Sequence, residues 1–141
     1  MPKVFTSKTQ KTGEIGENVA CMFLMKRGFE IIDRNYTKIW GEIDIVASKD
    51  AKLYFCEVKS VTRENLDVAT LTRDSESIGH ETYRPEENMH EMKIRRLSRT
   101  IETYIADKRI NDDVDWQVDL LVVYLDHNTK KAKVERIENV F

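Results

Sequence analysis

Four charged residues stand where an apolar pattern would otherwise run unbroken. In the segment Leu53–Val61, period-two alternation places Leu53, Phe55, Glu57 and Lys59 on one face and Tyr54, Cys56 and Val58 on the other. In the preceding segment, Trp40–Ser48, Glu42 and Asp44 alternate with Ile43 and Ile45. The polar stretch Ser48-Lys49-Asp50-Ala51-Lys52 joins the two. A hairpin centred between Asp50 and Ala51 sets Ser48 against Leu53, Val46 against Phe55 and Asp44 against Glu57. Opposed residues have Cβ atoms ~5 Å apart, and like charges there repel. A divalent cation between them reverses the sign, and hard oxygen donors are what Mg²⁺ and Mn²⁺ prefer. Glu17 supplies a third carboxylate from a helical stripe shared with Ala20, Cys21 and Leu24; Gly13 and Gly16 beside it allow close approach to a sheet. The same residue types also admit a salt-bridged surface hairpin or a buried charge network without catalytic use.

The elements that must position these groups follow from periodicity and punctuation. The spacing predicts a helix from about Gly13 to Arg27, with Ile15, Val19, Met22 and Phe23 on one stripe and Gly28 as its stop. Phe29–Thr37, Trp40–Ser48 and Leu53–Val61 read as strands. Residues 62–87 show no periodicity, which marks a functional or mobile loop. A second helix starts at Pro85 or Asn88 and runs to about Arg109, with Met89, Leu97, Ile101, Tyr104 and Ile105 inward. Trp116–Leu125 and Lys133–Val140 read as two further strands around a turn at Asp126-His127-Asn128-Thr129. The order α-β-β-β-α-β-β makes one sheet flanked by two helices the economical α/β architecture. Residues 1–12, with Lys3, Lys8 and Lys11 and no acid, form a basic arm before a single domain at 13–141.

Composition narrows the function classes. The 141 residues are 34% charged and 40% hydrophobic, the balance of a globular domain with a real core. No apolar run approaches the ~20 residues of a membrane span, and Met1-Pro2-Lys3-Val4 does not open a secretory signal, so a cytoplasmic protein is expected. Cys21 and Cys56 lie in apolar runs and read as free buried thiols; His80, His90 and His127 are scattered. A net charge of -2 and a pI near 6.0 exclude binding of nucleic acid by overall positive charge. A local basic groove is compatible with both, and Lys93-Ile94-Arg95-Arg96-Leu97-Ser98-Arg99 is the cluster to supply it.

Taken together, Gly13-x-x-Gly16-Glu17-x-x-Ala20, Gly28-Phe29, Asn35, Gly41-Glu42-Ile43-Asp44, Phe55-x-Glu57-Val58-Lys59, Lys93 and Val118-Asp119-Leu120-Leu121-Val122 resemble the YraN family of bacterial proteins. That family is similar to archaeal Holliday-junction resolvases within the PD-(D/E)XK nuclease superfamily. The resemblance covers roughly residues 13–141 and implies a restriction-endonuclease-like mixed sheet and metal-dependent phosphodiester hydrolysis. By position it makes Asp44 the motif aspartate, Glu57 and Lys59 the E-x-K pair and Glu17 the helix glutamate. Mg²⁺ or Mn²⁺ would then be held by Asp44, Glu57 and the Val58 backbone carbonyl, with Glu17 direct or through water. Lys59 would orient the attacking water or neutralise charge on the phosphate. Lys93, Arg95, Arg96, Arg99 and Lys11 are the candidate phosphate contacts, on DNA that is branched rather than read by sequence. A two-fold homodimer is expected, as junctions present two symmetric strands. The chain departs from the family pattern at Cys56, where an aromatic is usual, at Val61, where Arg is usual, and at Gln117-Val118, where Arg-Phe is usual. The competing classes are a catalytically silent DNA-binding or scaffold module on the same fold, and an interaction protein with a decorative acidic hairpin.

Overall fold

Asp50 and Ala51 both adopt left-handed backbone, with φ of 52° and 64°, as a two-residue turn matched to strand twist requires. The register across that turn is the expected one: Lys49 opposes Lys52, Ser48 Leu53, Ala47 Tyr54, Val46 Phe55 and Ile45 Cys56. The computed structural model describes residues 8–62, 91–126 and 128–141. Its elements are α1 (Lys8–Lys26), β1 (Glu30–Lys38), β2 (Gly41–Lys49), β3 (Lys52–Thr62), α2 (Glu91–Asp107), β4 (Trp116–Asp126) and β5 (Lys131–Ile137). The five strands form one sheet in sequence order, antiparallel throughout except for the parallel β3–β4 pair at its centre. The architecture is the mixed α/β sheet with two helices that the α-β-β-β-α-β-β order implies.

The two helices cover opposite faces. On the α1 side, Ala20, Cys21 and Leu24 pack with Ile45, Ala47, Cys56, Leu121, Val123 and Leu125. On the α2 side, Leu97, Ile101 and Tyr104 pack with Ile43, Val46, Leu53, Phe55 and Val118. Tyr104 is anchored further: its hydroxyl donates to Asp33 Oδ2 at 2.6 Å, and its ring meets Phe55 and Tyr36 edge-on. Cys21 and Cys56 are free and buried, as expected.

Helix α1 differs from its expected form in two ways. It begins at Lys8, five residues before Gly13. Its buried line is Gly16, Ala20, Cys21 and Leu24, whereas Ile15 and Met22 are 46% and 53% exposed. Small residues win the inner face because the helix lies close to the sheet: a Cβ at Gly16 would overlap the Ser60 hydroxyl, while one at Gly13 would meet nothing. Val19 and Phe23 flank that line, half-buried. The C-terminus closes as the glycine predicts. Gly28, at φ 86°, and Phe29 donate their N–H groups to the carbonyls of Met25 and Leu24, the Schellman pattern.

Helix α2 ends at Asp107, near the expected Arg109, with Leu97, Ile101 and Tyr104 buried and Ile105 half-buried. Its expected start at Pro85 or Asn88, the inward Met89 and the 62–87 loop fall, from residue 63 on, outside the described residues. Strand β5 runs two residues earlier at its start than expected and stops at Ile137; Val140 instead donates its N–H to the Val118 carbonyl.

Candidate active site

Strict alternation along β2 would place Ile43, Ile45 and Ala47 on one face. Instead Ile45 and Ala47 join the α1-side core, while Ile43 joins Val46 on the α2 side. The break falls at Asp44. On the neighbouring strand it is matched by Asn35, which takes a left-handed φ of 53° between the paired residues Arg34 and Tyr36. Backbone pairing of β2 with β3 ends at Ile45 and Cys56, one step short of Asp44 and Glu57. There the Asp44 side chain takes over, its Oδ2 accepting the Val58 N–H at 2.8 Å.

That position gathers the carboxylates. Single oxygens of Glu17 from α1 and of Glu42 and Asp44 from β2 can lie within 4.8 Å of one another. Burial pushes the Asp44 carboxyl well above the usual carboxylate range; Glu57, Glu17 and Glu42 add to the rise, and the Val58 N–H opposes it. Three hard, half-buried oxygen donors from two elements are a donor set that fits Mg²⁺ or Mn²⁺. Glu42 is the member that sequence reasoning left out of the site. Its place beside Asp44 in Gly41-Glu42-Ile43-Asp44 was the available signal.

Glu57 approaches from the other side. Its carboxylate meets Lys93 Nζ of α2 at 3.0 Å, and both Glu42 and Glu57 line a cleft of about 750 Å³ with Gly41, Glu91, Met92, Lys93, Arg96 and Leu97. Lys59, two residues on along β3, is exposed. Arg34, also unforeseen, ties β1 to α1, donating to Asn18 Oδ1 at 2.9 Å and lying 3.6 Å from Glu17. Gly41 lets α2 cross close by, since a Cβ there would overlap Thr100 Oγ1 and come 3.1 Å from the Arg96 carbonyl oxygen.

The basic residues divide. Lys93 and Arg96 reach the cleft; Arg95 pairs with Glu91 one turn back, at 2.7 Å; and the Arg99 guanidinium lies 4.4 Å above the Trp40 ring. Lys11 is exposed on α1. The positions that depart from the family pattern, Cys56, Val61, Gln117 and Val118, are all buried in the sheet. Gln117 has a partner there, donating through Nε2 to Asp119 Oδ1 at 2.7 Å. No helix among the described residues is long and apolar enough to cross a membrane.

Comparison with known proteins shows the family to which the chain belongs. A UPF0102 protein of Campylobacter lari is 39% identical over 125 residues, covering 89% of this chain and 88% of its own. One from Campylobacter hominis is 35% identical over 133 residues, covering 94% and 96%, and one from Campylobacter jejuni subsp. doylei 35% over 116 residues, covering 82% and 86%. The profile of uncharacterised protein family UPF0102 matches residues 16–123, a span that includes Glu17, Glu42, Asp44, Glu57 and Lys59, and the chain belongs to that family.

Proposed function

We propose that this protein is a metal-dependent endonuclease that hydrolyses phosphodiester bonds, with branched DNA as its preferred substrate. The observation that carries the reading is the gathering of Glu17, Glu42 and Asp44 where β2 and β3 part, with Glu57 and Lys59 on the next strand. Asp44, Glu17, Glu42 and Glu57, with the Val58 carbonyl, would hold Mg²⁺ or Mn²⁺. A divalent ion bound there supplies a water of lowered pKa and positive charge against the phosphoryl oxygens. The Val58 N–H fixes the orientation of Asp44. Lys59 sets a positive charge beside the phosphate, where charge develops during in-line attack. Lys93 and Arg96 hold flanking phosphates at the cleft, which positions the backbone without reading bases. The products are a 5′-phosphate and a 3′-hydroxyl. A two-fold dimer, which light scattering would reveal, would place two such sites on one junction.

The decisive assay follows Mg²⁺- or Mn²⁺-dependent cleavage of branched, flapped and linear DNA by wild type, Asp44→Asn and Lys59→Ala. Full activity is expected of wild type alone; equal activity in all three would place the chemistry elsewhere. Calorimetric titration with Mn²⁺ tests the donor set independently, and Glu42→Gln and Asp44→Asn should each weaken binding. The Lys93–Glu57 pair favours one alternative, a silent DNA-binding module in which Lys93 stands in for a cation. That module would bind DNA in a salt-sensitive way, keep binding after loss of Asp44, and turn over with no divalent ion.

A further inference from the structure

The β1–β2 hairpin turns in two residues, Ile39 and Trp40, with Lys38 and Gly41 as its closing pair. Turns this tight favour Gly, Asn or Asp with left-handed backbone. Neither Ile39 nor Trp40 has a positive φ. Ile39 is fully exposed, and the Trp40 indole N–H is shielded from solvent with no hydrogen-bond partner among the described residues. A single exposed isoleucine is ordinary. An Ile-Trp tip with an unpaired indole N–H is a local arrangement that stability does not favour, and such arrangements concentrate where a molecule acts.

The tip is also held firmly and placed well. Gly41 at its base is packed under α2, and Arg99 of α2 stacks on the Trp40 ring. Arg99 thus brings positive charge onto the Trp40 ring, and Arg96, whose carbonyl lies against Gly41, lines the adjoining cleft. Ile39 lies three residues before Glu42, so the tip and the carboxylates share one hairpin.

We propose that the Ile39-Trp40 tip is a wedge that packs against unstacked bases at a branch point of nucleic acid, seating a strand beside Glu42 and Asp44. This rests on the nuclease reading above. Apolar side chains inserted at a base step, with flanking cations on phosphates, are the chemistry such a contact uses. Bases with no neighbour in the stack present the free faces that an aromatic or aliphatic tip can cover.

The test uses the full chain in a Trp116→Phe background, which leaves Trp40 as the sole tryptophan. Tryptophan fluorescence is titrated with a three-way DNA junction and with linear duplex, in EDTA so that nothing is cut. Junction DNA should quench Trp40, and Ile39→Ser should weaken junction affinity about tenfold while linear duplex stays within about twofold. Thermal melting checks that the Ser variant is folded. Equal loss on both substrates, no loss on either, or no DNA binding at all would overturn the wedge. So would a dimer-to-monomer shift in Ile39→Ser with DNA affinity unchanged, because the tip would then belong to a second copy of the chain. The readout needs no catalysis, so absence of metal-dependent cleavage would sink the nuclease reading while leaving the wedge to stand or fall on binding.

Discussion

Two aspartates lie on either side of Cys56, and the fold treats them in opposite ways. Asp119 of β4 is Cys56's partner across the parallel ladder, and Asp44 immediately precedes Ile45, its partner across the antiparallel one. Asp119 is fully buried and richly bonded. It accepts Gln117 Nε2 at 2.7 Å, Arg136 Nε at 2.9 Å and the Asn139 N–H at 3.2 Å, and Arg136 brings a full opposing charge. Asp44 accepts the Val58 N–H and otherwise faces the carboxylates of Glu57, Glu17 and Glu42, which help drive its own carboxyl upward. A buried charge is tolerated when paired and hydrogen-bonded. By that standard Asp119 is complete within the chain. Asp44 is complete only with a proton or a cation, and that difference separates a residue that holds the sheet from one that, on the proposed function, binds metal.

The sharpest way to break the contrast is to delete each carboxylate and watch which property fails. Asp119→Ala takes from Arg136 its buried partner, leaving only the exposed Glu138, and should destabilise the fold by about 3 kcal/mol, read as a fall in the denaturant midpoint. A loss of cleavage without that fall would erase the distinction. Lys59→Ala should leave the melting curve in place, because its side chain is exposed, and, on the proposed function, lower metal-dependent cleavage on the order of a hundredfold. Asp44→Asn should weaken Mn²⁺ binding yet raise the stability of the metal-free protein at neutral pH by about 1 kcal/mol, since it removes like-charge repulsion. The pH dependence carries the sign. With its folded carboxyl raised above the ordinary ~3.9, Asp44 keeps its proton longer in the folded state than in the unfolded one. Its contribution is thus present at low pH and lost as pH rises through the raised value, so metal-free wild type should weaken across that window and Asp44→Asn should not. Melts in EDTA across pH measure this, and a parallel slope in both proteins would contradict it. The smallest effect belongs to Lys93→Met. Lys93 is 45% exposed, so losing its pair with Glu57 should change stability by less than about 0.5 kcal/mol, checked by the same melts.

Local chemistry made much of this legible in advance. The Asp50-Ala51 turn set the hairpin register, Gly28 ended the helix as a left-handed cap, and alternation put Glu57 and Lys59 on the face of Leu53 and Phe55. What could not be read depended on distances between elements. The inner face of α1 is chosen by how near the sheet lies, so Gly16 and Ala20 displace Ile15 and Met22 against the usual weighting by side-chain size. Glu42 joins Glu17 only because β2 loses its alternation at Asp44, a break tied to the backbone at Asn35. Arg136 reaches Asp119 from 17 residues away through the β4–β5 pairing, which periodicity alone cannot foresee.

The parallel β3–β4 ladder has a consequence for the order in which the molecule assembles. Strands β1, β2 and β3 are joined by two-residue turns, so their ladders close small loops at low entropic cost. Leu53 and Trp116, by contrast, open a ladder between segments far apart in the chain, and pairings of that kind are the slow ones to form. Asp44, Glu42 and Glu57 all belong to the fast meander. Their mutual repulsion is present before β4 arrives, and the Asp119–Arg136 network can form only once β4 and β5 are in place, so the late strands secure a sheet whose acidic corner is already built.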